Sequence, residues 1–303
     1  MNKASAILRV LAAVFACLFV VLAFIGLAVR MCFLDKYRYE DSILTDEFYE
    51  EIKKARSNNL QSLGTMVEVD EAVFDRYASV DDCNRMGESY VRALVSDMLE
   101  GTDAAGKIHF SSPELLSYLK ADYAGYDFSQ AGFDSSDAAA EAAYTMICDQ
   151  IDTAVLFVPE KISRNLDIVS RLFGLVSDIS FFWFVPLLLA VFLYGAVIFA
   201  GGNRKNNMFG AAASFWCAAV LCFVPVLVLY IGTDTRYLDF DRNVLYTFLS
   251  GCVNAVRGAS MLLASLFFVV ASGFVAVTGI IATGARSISV PAPTVAEDVY
   301  DRP

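Results

Sequence analysis

The chain has 303 residues, 57% of them hydrophobic, with a mean hydropathy of +0.52 and a formal net charge of −11. A length of this order would serve one large or two small soluble domains, but so apolar a composition excludes an ordinary soluble protein and puts much of the chain in lipid. The acidic balance argues against nucleic acid as a partner.

Residues 10–29, VLAAVFACLFVVLAFIGLAV, form the first window without Asp, Glu, Lys, Arg or His that is long enough to cross a bilayer, which takes about 20 apolar residues. Lys3 and Arg9 ahead of it would also suit a signal peptide. The run is longer than a usual h-region, however, and no A-x-A site precedes RMCFLDKYRYE, so residues 1–34 are expected to be an uncleaved anchor. Phe15 before Cys17 argues against lipidation there. Three more windows follow at 181–200, 208–231 and 261–281, giving four transmembrane helices.

Between the first two windows, residues 35–178 hold 28 acids against 13 bases, a formal charge of −15. This segment is expected to be an acidic helical domain; so negative a surface would attract cations or basic partners, but a solvated face that keeps the domain soluble is the stronger reading of the charge. Thr45-Asp46-Glu47 reads as a helix start ahead of Phe48, Ile52, Ala55, Leu60 and Leu63. Ser79 opens a second helix that Gly101 ends, and Ser112-Pro113-Glu114 opens a third. A fourth runs over about 136–158 to Pro159, after which residues 160–179 continue towards the second span as an amphipathic stalk. Strand alternation is not sustained anywhere.

GGNRKNN, residues 201–207, links the second and third spans and reads as a tight polar turn with Arg204 and Lys205 facing the cytoplasm. Both termini then lie inside, with residues 35–178 and a small loop at 233–257 outside. The three closing spans form a bundle over 179–285, and residues 286–303 read as a disordered tail. A bare count of Lys and Arg near the membrane does not favour this orientation. The isolated basic turn and the basic N-terminus do. On the fourth span Ser265, Ser272, Ala276, Gly279 and Thr283 make a small-residue packing stripe. Pro186 and Pro225 are places where the second and third spans could kink.

Seven cysteines are present. Cys83 and Cys148 would fall on the second and fourth helices of the outer domain, where an oxidising exterior would permit a bridge between them; free thiols are the alternative. Chemistry is sparse. His109, in GKIHFSSPELL, is the sole histidine, and Ser111 and Ser112 beside it are better explained by capping than by catalysis. Asp82, Asn84 and Gly87 fit the start of a calcium loop, but Met86 and Ala93 occupy ligand positions, so the stretch reads as helix. Neither a metal site nor a cofactor is expected, and no ionisable side chain apart from cysteine and tyrosine lies within the spans.

In layout the chain is similar to permease subunits of the cell-division and MacB type, which relay motion between an ATPase and the exterior. Those carry a coupling helix where this chain has GGNRKNN. With ILTDEFYEEIKKARSNNLQSL after its anchor, an all-helical outer domain and three closing spans, it also resembles uncharacterised four-span integral membrane proteins of Gram-positive bacteria. That resemblance implies no known activity. The sequence therefore reads as an all-α multi-pass protein of the plasma membrane, whose outer domain binds, senses or scaffolds an envelope protein or a second copy of itself, without catalysis. A permease-like accessory subunit is the first alternative. An outer-surface enzyme using His109 or carboxylates such as Asp81, Asp82 and Glu88 is the second.

Overall fold

A computed structural model describes residues 3–67, 69–158, 166–199, 204–233 and 243–284. Every extended regular element among them is an α-helix: α1 (Lys3–Ala28), followed by a π turn at Val29–Phe33, α2 (Lys36–Ile43), α3 (Asp46–Val67), α4 (Glu71–Tyr77), α5 (Val80–Glu100), α6 (Pro113–Asp122), α7 (Ser136–Val155), α8 (Leu166–Phe181), α9 (Phe184–Phe199), α10 (Arg204–Gly232) and α11 (Val244–Gly284). Four segments are long and apolar enough to cross a membrane: Ala6–Phe33, Ile168–Phe199, Arg204–Gly232 and Val244–Ile281. The protein is all-α with four candidate spans, as its composition and windows imply. Pro159 and the 286–303 tail, with Tyr300, lie outside the described residues.

The chain divides into two compact units. A span unit comprises Met1–Gly26, Phe182–Leu227 and Met261–Pro303, and a helical unit comprises Leu27–Phe181 and Val228–Ser260.

Inside the span unit the packed positions are small, among them Ala16, Ala190, Ala212, Ala218, Ala264 and Ala271, while Leu22, Phe192, Leu221, Leu262 and Ile280 face outward. Small residues let helix backbones approach, and large apolar side chains turned outward suit a hydrocarbon solvent. Ser214 Oγ donates to Ala13 O at 2.8 Å, and Trp216 Nε1 donates to Ser272 Oγ at 3.1 Å, so polar groups within the spans have partners. Pro186 sits in the first turn of α9, where its missing N–H is not needed, whereas Pro225 lies inside α10.

The basic link differs from expectation. Arg204 and Lys205 belong to the first turn of α10, and only residues 200–203 separate that helix from α9. Cations oppose the dipole at a helix N-terminus. Arg204 is instead placed over the Phe199 ring, 4.9 Å from its centroid.

In the helical unit, helix ends follow local chemistry. The Ser79 hydroxyl accepts from the Asp82 N–H, and the Asp82 carboxylate accepts from the Ser79 N–H, closing a capping box. Gly101, at φ 69°, ends α5 in the left-handed conformation that glycine adopts at little cost. Ser112 caps α6 with Pro113 as its first residue. α3 runs through Gly64 to Val67. The core is built from Phe48 and Ile52 of α3, Phe74 of α4, Val91 and Val95 of α5, Leu115 and Leu119 of α6, and Ile147 and Ile151 of α7. Residues 160–165 of the stalk lie outside the described residues; from Leu166 it is helical as α8, with Ile168, Leu172, Leu175 and Ile179 exposed at spacings that align them along the helix.

The Ser79 hydroxyl, and with it the Arg85 guanidinium and the Ser79 N–H, hold the Asp82 carboxyl below its ordinary value. An acid lowered on folding contributes stability above its unfolded pKa of about 3.9, and that contribution is lost as pH falls through the folded value. Asp82→Asn is expected to weaken the helical unit by about 0.5–1 kcal/mol at pH 7, a cap-sized effect reduced by solvent screening. Melting curves of variant and parent should converge below about pH 3. A gap that persists there would mean that the charge is not what the cap uses.

Residues 233–257, expected as a small loop, are helical from Val244 onward and belong to the helical unit. Phe248 enters an aromatic cluster around Phe157, with ring centroids 5.3 Å apart, and Phe157 also meets Phe48 at 6.0 Å and Tyr90 at 5.4 Å. Gly251 lies so close to α2 that a Cβ there would sit 2.8 Å from Ser42 O and 2.9 Å from Ile43 Cα. Asn254 and Arg257 interrupt the hydropathy of this stretch, which is why it reads as a loop. Arg257 itself lies over the Tyr230 ring, 4.2 Å from its centroid.

Candidate functional site: an aromatic and acidic cleft on the helical unit

The segment that joins α5 to α6 is shaped by two carboxylates that sequence reasoning did not single out. Asp97, only 6% exposed in the last turn of α5, accepts from Thr102 Oγ1 at 2.5 Å and from the N–H groups of Ala104 and Ala105 at 2.9 Å each. Asp152 on α7 accepts from Phe110 N at 2.7 Å and pairs with His109 Nδ1 at 3.0 Å. One helical turn apart on the same helix stand Tyr144, Cys148 and Asp152. Tyr144 OH accepts from Ser112 N at 3.1 Å, and the Cys148 thiol bonds to Tyr144. Residues 109–112 are therefore clipped along one face of α7.

An Asp–His pair can orient a general base. Here the nearby hydroxyls are engaged elsewhere: Ser111 Oγ lies 3.5 Å from Tyr144 OH, and Ser112 Oγ accepts from Leu115 N. His109 itself is exposed and serves the clip.

Asp81, Asp82, Asn84, Gly87 and Glu88 all lie on α5. Asp82 is in the capping box and pairs with Arg85, and Glu88 pairs with Arg92 at 2.5 Å. Gly87 is buried against Phe48, Ile52 and Val155. Among the described residues no group of three or more His, Cys, Asp or Glu side chains converges to hold a metal ion.

Cys83 and Cys148 are both free thiols, with no bond between them. Cys83 is completely buried, and burial pushes its thiol up to about 11 against the pull of the Arg56 guanidinium. Arg56, itself buried, donates to Ala78 O at 2.8 Å and to Asp75 at 2.9 Å, fixing the junction of α4 and α5. The small-residue stripe of α11 is offset by one residue from its packed seam. Ala264, Ala271 and Thr278 are buried at seven-residue spacing, Ser265, Ser272 and Gly279 lie half-buried beside them, Ala276 is exposed, and the Thr283 side chain lies outside the described residues. One residue is a 100° rotation on a helix, enough to move a stripe from the seam to its flank.

A cleft of about 430 Å³ lies between the loop after α6 and the exposed side of α7. Tyr123, Tyr126, Phe128 and Phe133 line it with Met146 and Asp122. Tyr123 and Phe128 have ring centroids 5.0 Å apart, Tyr126 is 6.4 Å from Phe128 and 69% exposed, and Met146 is also exposed. The turn is built locally. Asp127 accepts from Ser129 N at 2.9 Å, which lowers its carboxyl pKa, and Gly125 and Gly132 take positive φ of 95° and 85°. From residue 121 to 140 the chain carries Asp122, Asp127, Asp134 and Asp137 and no Lys or Arg. Aromatic faces beside the Asp122 carboxylate, with exposed Met146, suit a cationic and partly apolar ligand. The glycine-punctuated loop was visible in the sequence, but the folding of its rings back onto α7 was not.

Comparison of the chain with protein-family models, with curated proteins and with solved structures gives no match in any of the three.

Proposed function

We propose that this is a plasma-membrane protein with both termini in the cytoplasm, whose helical unit lies outside and binds a basic segment of an envelope protein without catalysis. The aromatic cleft carries this reading, because its rings and the Asp122 carboxylate complement a Lys- or Arg-bearing partner and the segment 35–178 has a formal charge of −15. Orientation is supported within the span unit. Arg9 Nη1 donates to Asn207 Oδ1 at 3.2 Å, so the basic N-terminus and the basic start of α10 share one end of the bundle, and clustered Lys and Arg favour the cytoplasmic face. A plasma-membrane location is also what the resemblance to the Gram-positive group implies. A permease-like relay is less well supported, since the four residues between α9 and α10 leave no room for a coupling helix.

Gln130→Cys, on the exposed turn of the cleft, tests both parts. In a Cys148→Ser background, which removes the half-buried thiol of α7, treating intact cells with a membrane-impermeant maleimide is expected to label this variant well above the same protein with Gln130, whose Cys83 is sealed. A cysteine-to-lysine crosslinker should then give a discrete higher-mass adduct that Tyr126→Ala with Phe128→Ala abolishes. Labelling only after lysis would overturn the orientation. Surface labelling with no aromatic-dependent adduct would overturn the binding role.

A further inference from the structure

Within the span unit a groove of about 600 Å³ runs between α1 and α10, with Val197 of α9 also in its lining. Its walls are mostly apolar: Arg9, Asn206 and Asn207 gather at one end, and the hydroxyl of Ser214, further along, is taken up by Ala13 O at 2.8 Å. The lining follows α1 from Ala6 to Leu18, about 18 Å at ~1.5 Å per residue, close to the ~15 Å of hydrocarbon in one leaflet. Gly210 opens into it: a Cβ there would meet no atom within 4 Å. The hydrogen bond to Asn207 holds the Arg9 guanidinium at the mouth, where its fork of donors matches a phosphate.

We propose that this groove is a lipid site, which seats one acyl chain of an anionic phospholipid along α1 and α10 with the phosphate at Arg9. A neutral or zwitterionic lipid would fill the channel equally well but would leave Arg9 facing a headgroup of no net charge. Anionic lipid is therefore the preferred occupant, and that preference separates a site from general solvation by the bilayer.

The test is native mass spectrometry of the full-length detergent-solubilised protein, titrated with an equimolar mixture of phosphatidylglycerol and phosphatidylcholine of identical chains. The parent should retain one phosphatidylglycerol in at least fivefold preference. Arg9→Gln should bring the two lipids to near parity, while Lys205→Gln, the same charge change at the same end but outside the groove lining, should keep the preference. Gly210→Leu, which fills open space rather than displacing protein atoms, should remove the retained lipid with the melting temperature unchanged. Equal retention of both lipids by the parent, an unchanged preference in Arg9→Gln, or undiminished lipid in Gly210→Leu would each overturn the site. If Gly210→Leu instead converts a dimer to a monomer with no change in lipid, the groove belongs to a second copy of the chain and the proposal fails. None of these readouts depends on what the helical unit binds.

Discussion

Gly251→Ala is expected to lower the melting temperature of the detergent-solubilised protein by about 5 °C, whereas Gly258→Ala on the same helix should leave it unchanged or raise it slightly. Alanine is the better helix former by about 1 kcal/mol, so propensity alone predicts a gain at both positions. At Gly251 the added carbon would lie 2.8 Å from Ser42 O and 2.9 Å from Ile43 Cα, and backbone atoms cannot turn aside as a side-chain tip can. Overpacking of this kind costs about 1–3 kcal/mol or more, which exceeds the propensity gain. At Gly258 nothing lies within 4 Å, so only the gain remains. Differential scanning fluorimetry on the two variants checks this. Equal shifts would mean that α11 does not approach α2 as described.

Asp97→Ala is expected to be more damaging, at about 3 kcal/mol. Three donors converge on one buried carboxylate, and removing it leaves the Ala104 and Ala105 N–H groups without their acceptor. Each unsatisfied buried group costs about 1–3 kcal/mol. Asp97→Asn retains one acceptor oxygen and should fall between the variant and the parent. The site of damage is also specific. The turn after α5 leads directly to the His109–Ser112 clip, so limited proteolysis of Asp97→Ala should first cut within residues 101–112. Cleavage elsewhere at an unchanged rate would show that the carboxylate is incidental to the turn.

What the sequence made legible was local. Ser79, Gly101 and Ser112-Pro113 each carry their own boundary chemistry, and uncharged windows carry the spans, so these needed no knowledge of distant residues. Pairings across the chain were not legible. Asp152 lies 43 residues from His109, and neither residue type nor spacing announces the contact. The stripe on α11 flanks the buried seam of Ala264, Ala271 and Thr278 rather than forming it, and small size alone does not tell one face from the next. Residues 244–257 failed for a different reason. Arg257 ends an apolar window, yet its guanidinium over Tyr230 lets the helix continue.

That last helix has a consequence for how the molecule comes into being. The ribosome releases α2 to α8 long before it reaches Phe248 and Gly251, the residues that pack against Phe157 and Ile43. At that stage the helical unit is a partial fold with an open apolar seam. Two further hydrophobic segments, α9 and α10, lie between that partial fold and its closing piece. Its completion is thus tied to insertion of the spans, and a fragment cut at residue 178 would lack part of its own interior.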